Sequence, residues 1–251
     1  MSAPACAPAW GRIHVDLPVL RLPMPGSELI PCTGCYQLPI VINAPEDPVD
    51  RAVHRWFLGH HGAFLVWRFL SASLDRLIRE PDSQLVRLAA LGYDAYSVML
   101  AYSGSCSREV YEDVIRPMMM AFDPAFSGRW ARDYEPLPGL LRRARTALGP
   151  VAAAPLSSAS KANLLAHMEV MRRLVPCGNS LLRESGRTQV PTTDAERDRF
   201  DEFFLVSREN VCLSRYRAHR AAVLSAIGRD LEEHPLRPEY SDTLRTLVTR
   251  L

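Results

Sequence analysis

Lysine is almost missing from these 251 residues: Lys161 is the only one, so 29 of the 30 basic side chains are arginine. Against 28 Asp and Glu they leave a formal net charge of +2, with no excess to hold a phosphate backbone. Nucleic-acid binding is not expected. The chain also lacks any apolar run of about 18 residues that could span a bilayer, and its opening, MSAPACAPAW, lacks the charged-then-apolar order of a secretory signal. A cytoplasmic protein without membrane contact is expected. No Walker loop, Gly-x-Gly-x-x-Gly, His-Glu-x-x-His or Gly-x-Ser-x-Gly occurs, so nucleotide binding, zinc proteolysis and α/β-hydrolase chemistry have no local support. Six cysteines (Cys6, Cys32, Cys35, Cys106, Cys177, Cys212) are scattered over a chain large enough to fold without staples, and reduced thiols are expected. Cys32-Thr33-Gly34-Cys35 is half a zinc site with no second pair to complete it.

What is present divides at residue 47. Nine of the 20 prolines lie within the first 48 residues, so 1–47 reads as an irregular arm. Within it Arg12 to Leu17 alternates with period two and could pair with Val19 to Leu22 as a short hairpin. Beyond it the period becomes helical. Pro48, Val53, Phe57, His61, Phe64 and Arg68 mark one stripe of a long helix over 48–79. Further helices are expected over 83–102, 108–122, 138–147 and 159–174, with a small-residue linker over 149–160. Thr193-Asp194 caps a last long helix running to about Leu231. The fold class is all-α: a single helical domain over 48–251 preceded by the arm.

The segment Trp56-Phe57-Leu58-Gly59-His60-His61-Gly62-Ala63-Phe64-Leu65-Val66-Trp67-Arg68 is the most unusual. Each of its two glycines costs a helix about 1 kcal/mol relative to alanine, so something must use the missing Cβ. A flat ligand could approach there, or the glycines could simply ease a helix crossing around core histidines. His61 shares its stripe with Phe57 and Phe64, whereas His60 falls beside Trp56, Ala63 and Trp67. In the final helix Cys212, Tyr216, His219, Val223 and Ile227 form another stripe, flanked by Ala218, Ala221, Ala222 and Ala226. An inward imidazole beside small residues suits an axial bond to haem iron, and tight packing suits it too. His167, between Leu164 and Met171, is the competing inward imidazole.

Phe57, His61, Ala63, Phe64 and Trp67 resemble the distal-side helix of tryptophan 2,3-dioxygenase, Phe-x-x-x-His-x-Ala-Tyr-x-x-Trp, with Phe64 at the tyrosine position. Ser103-Gly104-Ser105-Cys106-Ser107 is similar to the Ser-Gly-x-x-Ser stretch that precedes that family's carboxylate-binding arginine. Tyr111 stands in the arginine column, with Arg108 and Arg116 nearby. Arg215-Tyr216-Arg217-Ala218-His219 looks like the helix that brings the axial histidine to haem, but the Gly-rich loop that follows it in the dioxygenase is missing. A shorter chain with those features, and with Arg116-Pro117-Met118 and Phe126-Ser127-Gly128-Arg129-Trp130, is most similar to the haem-dependent aromatic oxygenases of bacterial natural-product and antibiotic pathways, the L-tyrosine 3-hydroxylase group.

That resemblance implies an iron-containing oxidoreductase that uses haem b and hydrogen peroxide to convert L-tyrosine to L-DOPA. His61 would move protons, and His219 would ligate iron, with His167 as the alternative. Tyr216, Ala222 and His60 would line the porphyrin, Phe57 and Phe64 would wall the substrate ring, and Arg116, Arg129 or Arg132 would anchor the carboxylate. The implied partners are an aromatic amino acid and peroxide, and a homodimer is left open. The rival readings are a haem oxygenase acting on tryptophan or a derivative, which would release ring-opened kynurenine products, and a colourless helical binding protein.

Overall fold

The computed structural model describes residues 15–32, 40–175, 179–236 and 246. In chain order it contains β1 (Leu20–Leu22), α1 (Pro48–Arg79), α2 (Ser83–Ser103), α3 (Arg108–Val110), a π-helical turn (Tyr111–Ile115), α4 (Arg116–Phe122), a 3-10 turn (Gly128–Trp130), α5 (Leu137–Ala152), α6 (Ala154–Leu174), α7 (Leu181–Glu184), α8 (Asp194–Phe203), β2 (Val206–Arg208) and α9 (Leu213–Glu233). The architecture is an all-α bundle. No described helix is long and apolar enough to cross a membrane.

α1 is the spine. Asp47 caps it by accepting from the backbone N–H of Val49 and Asp50, and Pro48 occupies the first turn, where a missing N–H costs nothing. Its faces pack on α2, α5 and α9, while α2 packs against both α1 and α6. The two glycines settle their question in favour of helix crossing. A Cβ on Gly59 would stand 2.7 Å from Ser103 Cβ and 3.0 Å from the Ser103 backbone, and one on Gly62 would run into Met99 Sδ.

Four expectations change. The last long helix is broken: α8 ends at Phe203, Leu205 takes a left-handed conformation (φ 55°), and β2 intervenes before α9 starts at Leu213. The break exists because β2 pairs in parallel with β1, Leu20 opposite Val206 and Leu22 opposite Arg208. Among the described residues, 20–22 pair with β2 and not with 15–17, and residues 12–14 of the expected hairpin lie outside the described residues. The supposed linker at 149–160 is mostly helical, kinked at Gly149 (φ 72°). Cys32, expected as a thiol, is disulfide-bonded, whereas Cys106 is a buried thiol.

Two buried charge clusters fix the helices. Arg55 Nε and Nη2 donate to Asp230 at 2.7 and 3.0 Å, and the Tyr102 hydroxyl donates to the same carboxylate at 2.6 Å, joining α1, α2 and α9. Asp133 and Asp201 accept from Arg208 at 2.5 and 2.7 Å, with Arg68 and Arg132 completing the cluster. Both carboxylates are almost fully buried, where an unpaired charge would cost several kcal/mol.

Candidate active site

Successive side chains on a helix point about 100° apart, so His60 and His61 face different surroundings. Trp56, Gly59, His60, Ala63 and Trp67 line a cavity of about 770 Å³, within the span of roughly 300–1,000 Å³ that encloses small molecules and cofactors. The adjacent stripe, Phe57, His61 and Phe64, is buried in solid packing outside it.

The other walls come from distant parts of the chain. α2 gives Tyr96, Met99 and Ser103, the π-turn gives Tyr111, and α6 gives His167, Val170, Met171 and Leu174. The last four recur at steps of three, one and three, so one face of α6 looks into the cavity. Phe126, Phe200 and Phe204 add a phenylalanine wall next to α1, while Ser127, Arg129, Glu135, Thr192 and Arg197 add polar groups. An aromatic enclosure with a few cations suits a flat apolar ligand bearing carboxylates.

His60 is held in one tautomer. Its Nδ1–H donates to the Trp56 carbonyl at 2.6 Å, and its ring stacks on Phe204 (centroids 3.9 Å apart, 14° between planes) beside Trp56 (4.8 Å). Burial lowers its pKa to about 4 against the opposing effect of the Trp56 bond. The ring is neutral near pH 7, and Nε2 carries a lone pair. His167 is exposed to the cavity, and desolvation still lowers its pKa. A neutral imidazole whose lone pair faces an enclosed space is a donor for iron or an acceptor for a proton. The cavity thus has two imidazoles in its wall, from α1 and α6, and its lining fits haem.

The pair expected to sandwich the porphyrin does not fit it. His61 is fully buried, donates through Nε2–H to the Phe204 carbonyl at 2.6 Å, and is pushed to a pKa of about 4 by burial, with a smaller contribution from nearby His219. His219 is 4% exposed. His61 and His219 sit near each other, neither lines the cavity, and their Nδ1 and Nε2 atoms respectively are buried without partners among the described residues. Tyr216 and Ala222 also lie off the cavity, on α9. Phe57 and Phe64 pack behind the wall instead, against Phe203, Phe204 and Phe200.

Of the three arginines expected to hold a carboxylate, only Arg129 reaches the cavity. Its Nη1 donates to the Thr188 carbonyl at 2.6 Å, and no salt bridge engages it among the described residues. Arg116 pairs with Glu184 at 2.7 Å. Arg132 is committed to Asp198 and Asp201. Sequence reasoning missed Arg197, which grips Glu135 through Nε and Nη2 at 3.0 and 2.9 Å. It also missed the cavity role of α6, for which the His167, Val170, Met171, Leu174 spacing was the available signal.

Residues 21–167, more than half of the chain, match a family model described as SfmD 3-methyl-L-tyrosine peroxygenase. No curated protein matches the chain.

Proposed function

Since the chain belongs to the SfmD 3-methyl-L-tyrosine peroxygenase family of haem-dependent, tyrosine-modifying enzymes, we propose that it hydroxylates L-tyrosine at the ring carbon next to the hydroxyl, giving L-DOPA, with haem b as cofactor and hydrogen peroxide as the source of oxygen. The observation that carries this reading is the meeting of two neutral imidazoles, His60 and His167, in one aromatic-walled cavity of about 770 Å³. The matched span contains both and stops short of His219, which favours His167 as the iron ligand.

Bound haem would supply the activation of peroxide oxygen. The chain's own groups do the rest. His60 Nε2, aimed by the Trp56 carbonyl, takes a proton from peroxide or from the phenol and returns it later. Arg129 binds the substrate carboxylate through the guanidinium N–H groups not committed to the Thr188 carbonyl, and Trp56, Phe200 and Phe204 flank the ring and exclude water. The net change replaces one ring C–H by C–OH, and the second peroxide oxygen leaves as water. The arm and the helical region act as one haem-binding unit in this reading.

Purified protein supplied with haem should show a Soret band that His167→Ala abolishes and His219→Ala leaves in place. His60→Ala should keep the band and lose about 10²- to 10⁴-fold in rate. Loss of the band in His219→Ala with retention in His167→Ala reverses the ligand assignment. With tyrosine, 3-methyl-L-tyrosine and tryptophan offered separately, catechol from tyrosine supports the substrate; turnover of the methylated amino acid alone, or kynurenine from tryptophan, overturns it.

A further inference from the structure

The aromatic side chains around the cavity fall into three groups, one of them Trp56 and Tyr111, 5.9 Å apart beside His60. On the α8 side the mutually packed rings are phenylalanines: Phe57, Phe126, Phe200, Phe203 and Phe204 stand within 6.0 Å of one another in a chain of contacts. At the other end of α1 the cluster contains no phenylalanine except at its edge. Trp67 meets Tyr96 at 5.5 Å and Tyr134 at 5.6 Å, and the two tyrosines meet at 6.1 Å. All three line the cavity. Trp67 and Tyr96 are buried, whereas Tyr134 is 37% exposed. Hydrophobic packing alone gives no reason for this division, since phenylalanine fills space as well as tyrosine does and leaves no hydroxyl to satisfy.

Indole and phenol are the aromatic side chains that lose a single electron readily; a phenylalanine ring does not. Trp67 lies two helical turns from His60, about 10 Å along α1. Rings in near contact pass an electron vacancy far faster than the protein is chemically damaged. We propose that Trp67, Tyr96 and Tyr134 form a relay that drains unused oxidising equivalents from the cavity to the surface, protecting the site when peroxide arrives without an amino acid to hydroxylate. The inference rests on the peroxygenase reading.

The electron count is as follows. One peroxide carries two oxidising equivalents. For each, Trp67 or Tyr96 gives up one electron, Tyr134 replaces it with one of its own, and the Tyr134 phenol proton passes to water. A thiol in solution returns one electron and one proton to the phenoxyl radical. Two passages convert one peroxide and two thiols into two waters and one disulfide. The phenylalanine rings offer no path, and Trp56 and Tyr111 beside His60 lead to a phenol that is buried, so the exposed exit among these rings is Tyr134.

The haem-loaded protein, treated with hydrogen peroxide in the absence of amino acid, should give a phenoxyl signal by electron paramagnetic resonance and a slow decay of its Soret band that added glutathione retards. Tyr134→Phe, which keeps the ring and removes the oxidisable hydroxyl, should lose that signal and bleach several-fold faster. Peptide mass spectrometry should then find oxygen added at Trp67 and Tyr96. Trp67→Phe should diminish the Tyr134 radical from the other end of the path. If both variants show the wild-type signal and bleaching rate while hydroxylation proceeds, the relay is wrong and the enzyme reading stands. A wild-type protein that takes up no haem or consumes no peroxide overturns both.

Discussion

Consecutive histidines on one helix have been given opposite fates by a rotation of about 100°. His60 presents a lone pair to the cavity, while His61 is sealed behind it with Nε2–H bound to the Phe204 carbonyl. The sequence makes both stripes visible, but a match of residue types favours the one with Phe57 and Phe64, and only packing reveals which stripe faces empty space. Burial also makes His61 a pH-dependent element of stability. Its folded pKa is about 4 against an ordinary 6.5, so between those values the unfolded chain takes up a proton that the folded one refuses, and stability falls as the pH drops through that window. The full effect is of the order of 3 kcal/mol. Urea titrations at pH 7 and pH 4.5 should show it, and His61→Leu should reduce the difference, His60 supplying a similar contribution over the same window. Arg129 carries a second expectation. Replacing it by Gln removes a charge-assisted bond worth about 1.5–3 kcal/mol, which should raise KM for tyrosine roughly ten- to a hundredfold and leave the Soret band in place; an unchanged KM would assign the substrate carboxylate elsewhere.

Elements with strong local signals were legible. Asp47-Pro48 and the stripe beginning at Val53 define α1 without reference to any other part of the chain, and Thr193 with Glu196 forms the capping box that starts α8. The strand that interrupts the last helix was not legible, because β2 owes its existence to a partner in the arm and to Leu205, a non-glycine residue in a left-handed conformation. Gly59 lies between these cases: its presence in a helix announced a close approach, but the approaching group is Ser103 of α2. Gly59→Ala improves intrinsic helix propensity by about 1 kcal/mol yet forces α1 and α2 apart. The overpacking should win, with a net loss of roughly 1–3 kcal/mol measured by denaturant unfolding. Net stabilisation would mean that the crossing tolerates the shift.

At the scale of the whole molecule, α9 is fastened to the bundle by one buried carboxylate. Burial works to raise the Asp230 pKa, but the hydrogen bonds from Arg55 and Tyr102 and the guanidinium charge outweigh it, leaving the group below its ordinary 3.8. A depressed carboxylate pKa stabilises the fold above the unfolded value and ceases to do so as the pH falls through the folded one. Asp230→Asn strands Arg55 as a buried charge and should cost about 3–5 kcal/mol, read as a lower urea midpoint. A loss below about 1 kcal/mol, the range of a surface pair, would show that Arg55 finds water or another acceptor. The parallel clasp between Leu20–Leu22 and Val206–Arg208 carries a consequence for biogenesis. Arg21 leaves the ribosome 188 positions ahead of Glu209, its salt-bridge partner, and at 5–20 residues per second that interval is about 10–40 s. A strand translated long before its partner is therefore among the last to dock, and until then the nascent chain must hold it free of every other unpaired strand in the crowded cell.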